Sequence, residues 1–129
     1  MDKVLVISDL RNAGGAAFAC NRIVNSLRSI ETGILHVSSD QSANPREDEG
    51  VLFLGRKFLI LQQLLHNFLS DRLITKLRNK ELSKQLVRQI RRYKPDHVNF
   101  HNLHSAGWAN SLVWTALNHA PVSWTLHDC

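Results

Sequence analysis

Residues 3–27, KVLVISDLRNAGGAAFACNRIVNSL, contain one change of hydrophobic period, and the fold follows from how that change is read. Lys3–Ser8 is continuous, apolar and rich in β-branched side chains, the pattern of a strand buried on both faces. Asp9 and then the Asn12–Gly15 turn interrupt it. From Ala16 the small and apolar residues fall at 16, 17, 20, 23, 24 and 27. That spacing predicts a helix with Ala16, Cys20, Ile23 and Leu27 on one stripe and Arg22, Asn25 and Arg28 turned outward. A buried strand feeding an amphipathic helix through a glycine turn is how a parallel α/β sheet begins.

The rest of the chain keeps this rhythm. Gly33 opens a second strand, Ile34–Ser39, and residues 40–50 (DQSANPREDEG) form a polar surface loop with Pro45 and Gly50. Val51–Leu54 is a short strand. Lys57–Arg78, with apolar residues at 58, 61, 64, 65, 68, 69 and 73, suits one long amphipathic helix or two shorter ones. Glu81–Tyr93 is a further helical stretch that sets Leu82, Leu86 and Ile90 against Lys84, Arg88 and Arg91, and Lys94-Pro95 ends it. Asp96–Phe100 reads as a third main strand, Trp108–Asn118 as a helix and Val122–Leu126 as a fourth. Strands alternating with helices predict an α/β fold, a Rossmann-like open parallel sheet with helices on both faces.

A chain of 129 residues with 43% apolar content supports one core and one domain. The apolar run Val4–Ile7 is too short for a signal peptide or a membrane span, so a cytoplasmic protein is expected. Two cysteines, Cys20 and Cys129, make no disulfide framework. The net charge of +5 is unevenly spread: residues 56–94 hold eleven Lys and Arg against Asp71 and Glu81, whereas residues 1–55 hold five against seven acids. Lys76, Lys80, Lys84, Arg88 and Arg91, with Arg92 and Lys94, form a basic stripe. A solvated helix face is the commonest reason for such a run. Nucleic acid is disfavoured because only Tyr93 is near enough to stack a base. An anionic membrane surface fits better, since Phe58, Leu61, Leu65 and Phe68 precede the stripe, which would put the protein at the inner face of the membrane.

Two loops carry the chemistry. In Asn12–Ala17 the pair Gly14 and Gly15 permits positive φ and close approach to the backbone, and the free N–H groups of a helix start favour phosphate. Gly-x-Gly-x-x-Gly is absent, which argues against a dinucleotide and leaves Asp40 a weak ribose-binding acid. A tight turn built for helix–sheet packing is the competing explanation. In HNLHSAGW, residues 101–108, His101 and His104 follow a strand as His127 does, so the three can converge. A metal held by His101, His104 and His127 or Asp128 is disfavoured: a loop fixes no common face and no thiolate is near. Hydrogen bonding to a polyhydroxylated ligand suits neutral imidazoles, the amides of Asn99 and Asn102, and the aromatic face of Trp108. Any one of these histidines is more simply a strand-end structural residue; the cluster is not.

The segments NAGGAAFACNRIVNSL, YKPDHVNFHNLHSAGWANSL and APVSWTLHDC closely resemble the amino-terminal half of retaining glycosyltransferases with two Rossmann-like domains (the GT-B fold, family 4), especially the bacterial polysaccharide-building members. The likeness spans roughly residues 1–39 and 90–129. It implies a division of labour, with the acceptor held by this domain and the nucleotide-sugar donor held mainly by a second domain that nothing in these residues matches. On that reading the chain is a partial amino-terminal, acceptor-side domain that does not transfer sugar alone. Gly14 and Gly15 match the family's glycine loop, His127 its cleft histidine with Asp128 following, and Asn102 and His104 would line the acceptor side. The implied reaction is transfer to a glycan or lipid-linked acceptor with retention at the anomeric carbon and without metal or cofactor. A stand-alone module binding a phosphorylated ligand is the alternative, and a metal-dependent hydrolase on His101, His104 and His127 a weaker third.

Overall fold

A computed structural model of the chain describes residues 2–40, 44, 46–52, 54–104 and 106–127. The elements run β1 (Lys3–Ile7), α1 (Gly14–Ser29), β2 (Gly33–Ser38), β3 (Glu49–Val51), α2 (Arg56–Leu65), α3 (Asp71–Tyr93), β4 (His97–Phe100), α4 (Ser111–Leu117) and β5 (Val122–Trp124). All pair in parallel in one sheet of order β3-β2-β1-β4-β5. The fold is therefore the expected Rossmann-like α/β sheet, open at both edges.

Alternation along each strand assigns the faces. Leu5 and Ile7 of β1, Val98 and Phe100 of β4 and Val37 of β2 point to one side, where Leu82, Leu86 and Ile90 of α3 and Leu112 and Ala116 of α4 cover them. Val6 and Ile34 point to the other and meet Cys20 and Val24 of α1. Beside α1, the same face of β4 and β5 is polar: the Asn99 amide donates to the hydroxyls of Ser123 and Thr125, and His97 bonds to Ser123.

Several boundaries differ from the sequence expectation. The buried stripe of α1 is Ala17, Cys20 and Val24, and Ile23 is 38% exposed. The doublets Ala16-Ala17 and Ile23-Val24 are both apolar, so period alone does not choose between them; contact with Val6 and Ile34 does. The helical region breaks at 66–70 and not near 80. Ser70 caps α3 by accepting from the Leu73 N–H, no glycine or proline interrupts the next 23 residues, and Lys94 closes the helix in the left-handed conformation with φ of 52°. α4 is shorter than expected, starting at Ser111, and β3 lies at Glu49–Val51, ahead of the expected Val51–Leu54. Among the described residues no helix is long and apolar enough to cross a membrane.

Arg11, just past β1, has a buried guanidinium that the sequence does not announce. It donates to the Ser38 hydroxyl and the Gly50 carbonyl and pairs with Glu49 at 2.5 Å, while its backbone N–H donates to the Asp40 carboxylate. Asp40 is thus a backbone anchor. Arg11 ties the loop after β1 to the ends of β2 and β3, and Arg11→Met is expected to cost roughly 3–5 kcal/mol by stranding Glu49 and the acceptors around it. Urea denaturation measures this, and a midpoint equal to the parent's would mean that the staple contributes nothing. In the same assay Val24→Ala should cost roughly 2 kcal/mol, from two buried methyl groups and the cavity they leave, and Ile23→Ala under about 1 kcal/mol. The reverse order would restore the stripe expected from sequence.

Candidate functional site

The sheet order creates a crevice before any side chain is considered. From β1 the chain moves outward to β2 and β3, then returns through α2 and α3 to β4 on the opposite side of β1. The loops leaving β1 and β4 at their carboxyl ends therefore diverge in opposite directions, the place where open α/β sheets bind ligands. Backbone hydrogen bonds lock these ends side by side: His101 N–H donates to Ile7 at 2.8 Å, and Asp9 N–H donates to Asn102 at 2.9 Å. β5 joins them, as Thr125 N–H donates to Phe100 and the Trp124 indole N–H donates to the His101 carbonyl at 2.9 Å.

On the β1 side, α1 starts at Gly14 with φ of +83°, a conformation that L side chains rarely adopt. A Cβ added at Gly14 or Gly15 would meet nothing within 4 Å, so close helix–sheet packing is not what these glycines serve. Ala13 provides no side-chain cap and the first turn has no acidic residue, which leaves the first N–H groups and the positive end of the helix dipole open to an anion. The Asn21 amide donates to the Arg11 carbonyl at 2.8 Å and fixes the helix start against the loop.

On the β4–β5 side, His101 is wholly buried and its Nδ1 lies 2.8 Å from Nε2 of His127, with ring centroids 5.1 Å apart. Burial, and then the nearby His127, push the His101 pKa down to about 4, so it is neutral at neutral pH. Its Nε2 has no hydrogen-bond partner among the described residues. One N–H and one lone pair are all a neutral imidazole has, so one of them orients His127 and the other is left over. Asn102 is half-buried, and its side-chain oxygen accepts from the backbone N–H of exposed His104 at 3.4 Å. Arg78 of α3 reaches across to the Ala106 carbonyl at 3.0 Å and holds the loop from behind.

Gly14, Gly15, Asn102, His104 and His127 therefore lie along the carboxyl edge of three adjacent strands. Trp108 does not join them. It is 5% exposed and packed in the core on the α3–α4 side, so its ring is not a stacking face for a ligand, a correction that follows from α4 starting later and leaving Trp108 in a loop folded over the sheet. Asn99 is likewise spent on the sheet surface with Ser123 and Thr125. Asp128, expected to act beside His127, lies outside the described residues, as does Cys129. Among the described residues no group of three or more His, Cys, Asp or Glu side chains is placed to hold a metal ion.

A buried polar layer under α1 had no sequence signal, because His36 sits alone in an apolar run while Ser8 and Cys20 read only as a strand end and a helix-face residue. His36 of β2 lies 2.8 Å from the Ser8 hydroxyl and 3.8 Å from the Cys20 sulfur. Its pKa is pushed down to about 4 by burial, then by the positive charges of Arg11 and Arg28, and burial pushes the Cys20 thiol up to about 11. Cys20 is a protonated, inert thiol at neutral pH. No known protein family, characterised protein or solved structure matches this chain.

The two depressed imidazoles set an acid limit on stability. Below their unfolded value of 6.5 the unfolded chain binds protons that folded His36 and His101 refuse until about 4. Stability is thus complete above about pH 6.5 and falls as the pH drops toward 4, by an amount on the order of a few kcal/mol for the pair. Proton NMR should find both rings untitrated at pH values where an exposed histidine is already charged, and the urea midpoint should fall over the same window. Normal titration of both rings with a flat midpoint would refute it.

Proposed function

We propose that this chain is the acceptor-side part of a retaining glycosyltransferase that moves a sugar from a nucleotide-sugar to a glycan or lipid-linked acceptor. The observation that carries the proposal is the meeting of an uncapped glycine-opened helix start, an amide-and-imidazole loop and the His101–His127 pair at the carboxyl ends of β1, β4 and β5. The N–H groups at Gly14 and Gly15 suit a phosphate oxygen of the donor. Asn102 and His104 suit hydroxyls of the acceptor, each offering a donor and an acceptor atom. Neutral His101 fixes the His127 ring through their hydrogen bond, which supports a role for His127 beside the transferring sugar. In a reaction with retention the acceptor hydroxyl attacks from the face that the diphosphate leaves, and the departing phosphate oxygen takes the proton. Placement and charge stabilisation then carry the rate, which is the work such a set of polar groups can do.

The second reading, a non-catalytic module for a phosphorylated ligand, is favoured by the same uncapped start of α1 with no acid in its first turn. One set of measurements separates them. With the complete gene product and radiolabelled nucleotide-sugars, His127→Ala should lower kcat by roughly a hundredfold while the acceptor KM holds and circular dichroism shows the fold retained. Unchanged turnover would remove His127 from the reaction. Phosphate binding by calorimetry that Gly15→Asp abolishes, with no transfer from any nucleotide-sugar, would establish the binding module instead.

A further inference from the structure

Helix α2, RKFLILQQLL, buries none of its side chains although six of the ten are large and apolar. Leu59, Ile60, Leu61 and Leu64 are exposed along it, and Phe68 beyond its end is 83% exposed. Its one apolar seam runs to the start of α3, where Phe58, Leu61 and Leu65 face Ile74 and Leu77 across a gap of about 20 Å³. Folding alone does not account for so much uncovered apolar surface, since isolated exposed leucines are ordinary but a contiguous group marks an interaction site.

Helix α3 continues this surface with charge. Its buried residues Ile74, Leu82, Leu86 and Ile90 lie on one side. On the opposite side, at three- and four-residue spacing, Leu73 and Leu77 give way to Lys80, Lys84, Arg88 and Arg91, all exposed. Arg56 and Lys57 add two cations at the start of α2, and the only acids between residues 56 and 94 are Asp71 and Glu81. An apolar tip with a collar and shaft of lysine and arginine matches an anionic bilayer, which offers hydrocarbon just beneath a layer of negative headgroups. We propose that the α2–α3 hairpin is an interfacial anchor, with α2 and Phe68 set into the headgroup boundary of an anionic lipid surface and the α3 stripe lying along it. A ten-residue α2 is far too short to span a bilayer, so the contact is in the plane of the surface. The inference stands on this surface alone and does not depend on the sugar-transfer reading.

The test is co-sedimentation of the purified protein with vesicles of phosphatidylcholine, with or without a fraction of phosphatidylglycerol, at low and high salt. Binding is expected to the mixed vesicles only and to fall with salt. Leu64→Ser with Phe68→Ser should abolish it, and Lys80→Gln with Lys84→Gln should weaken it by roughly tenfold or more. Both pairs are exposed, so circular dichroism should be unchanged, and the second pair still decides the matter if the first perturbs α2. Equal binding to neutral and anionic vesicles, or binding to neither, overturns the proposal. So does a concentration-dependent dimer that Leu64→Ser with Phe68→Ser dissociates in the absence of vesicle binding, because a second copy of the chain would then be what covers this face.

Discussion

The parallel pairing of β1 with β4 is the constraint on which the rest of this molecule depends. It puts the first strand in the middle of the sheet, buried on both faces, and it makes the loops after β1 and β4 part company at one point. Two backbone hydrogen bonds, from His101 to Ile7 and from Asp9 to Asn102, extend that pairing past the strand ends into the loops. Were β4 to pair beside β3 instead, the glycine turn and the histidine loop would be separated by three strand spacings, about 14 Å, and neither could share a small ligand with the other. The crevice is a consequence of topology; the side chains that line it only give it chemistry.

Much of this topology was legible because period and length are strong signals. Lys3–Ile7 and Gly33–Ser38 are short, mainly apolar runs and His97–Phe100 alternates polar with apolar residues; all three are bounded by turn residues, and each proved to be a strand. What failed was phase and boundary. The stripe of α1 rotated because two apolar doublets fit the helical period equally well, and the break in the long helical region was misplaced because Ser70 gives a stronger start signal than the charged run near residue 80 gives a stop. Trp108 misled for a different reason: an indole in a polar loop resembles a binding face until the loop is seen to fold back over Phe100 and Leu103. The residues at the crevice edge were legible as polar types at strand ends. Arg11, His36, Ser8 and Arg78 were not, because the contacts that bury them, Ser8 with His36, Arg11 with the His36 carbonyl and Arg78 with Ala106, each join residues 25 or more positions apart and no local pattern encodes them.

Those four also explain how the crevice keeps its shape. A guanidinium costs several kcal/mol to take from water, and it persists here because its donors meet Ser38, Gly50 and Glu49. The imidazoles of His36 and His101 escape the same cost by staying uncharged. A polar layer in this state is rigid, since displacing any member strands a donor or an acceptor in a medium of low dielectric. It therefore fixes the backbone from which Gly14, Asn102 and His127 are presented, and rigidity is what a site that works by placement needs.

Helix α3 joins this crevice to the exposed hairpin. It is 23 residues, about 35 Å, without a kink-forming residue, and it touches both features at once. Arg78 holds the Ala106 carbonyl of the loop that carries Asn102 and His104, while Lys76 and Lys80, within one turn of Arg78, belong to the solvent-facing stripe. A surface that binds the stripe is thereby kept at a fixed distance from the loop, because one helix supports both contacts. For an acceptor carried on a lipid, the headgroup region and the polar edge of the crevice would be spanned by the acceptor itself, with no rearrangement of the protein required.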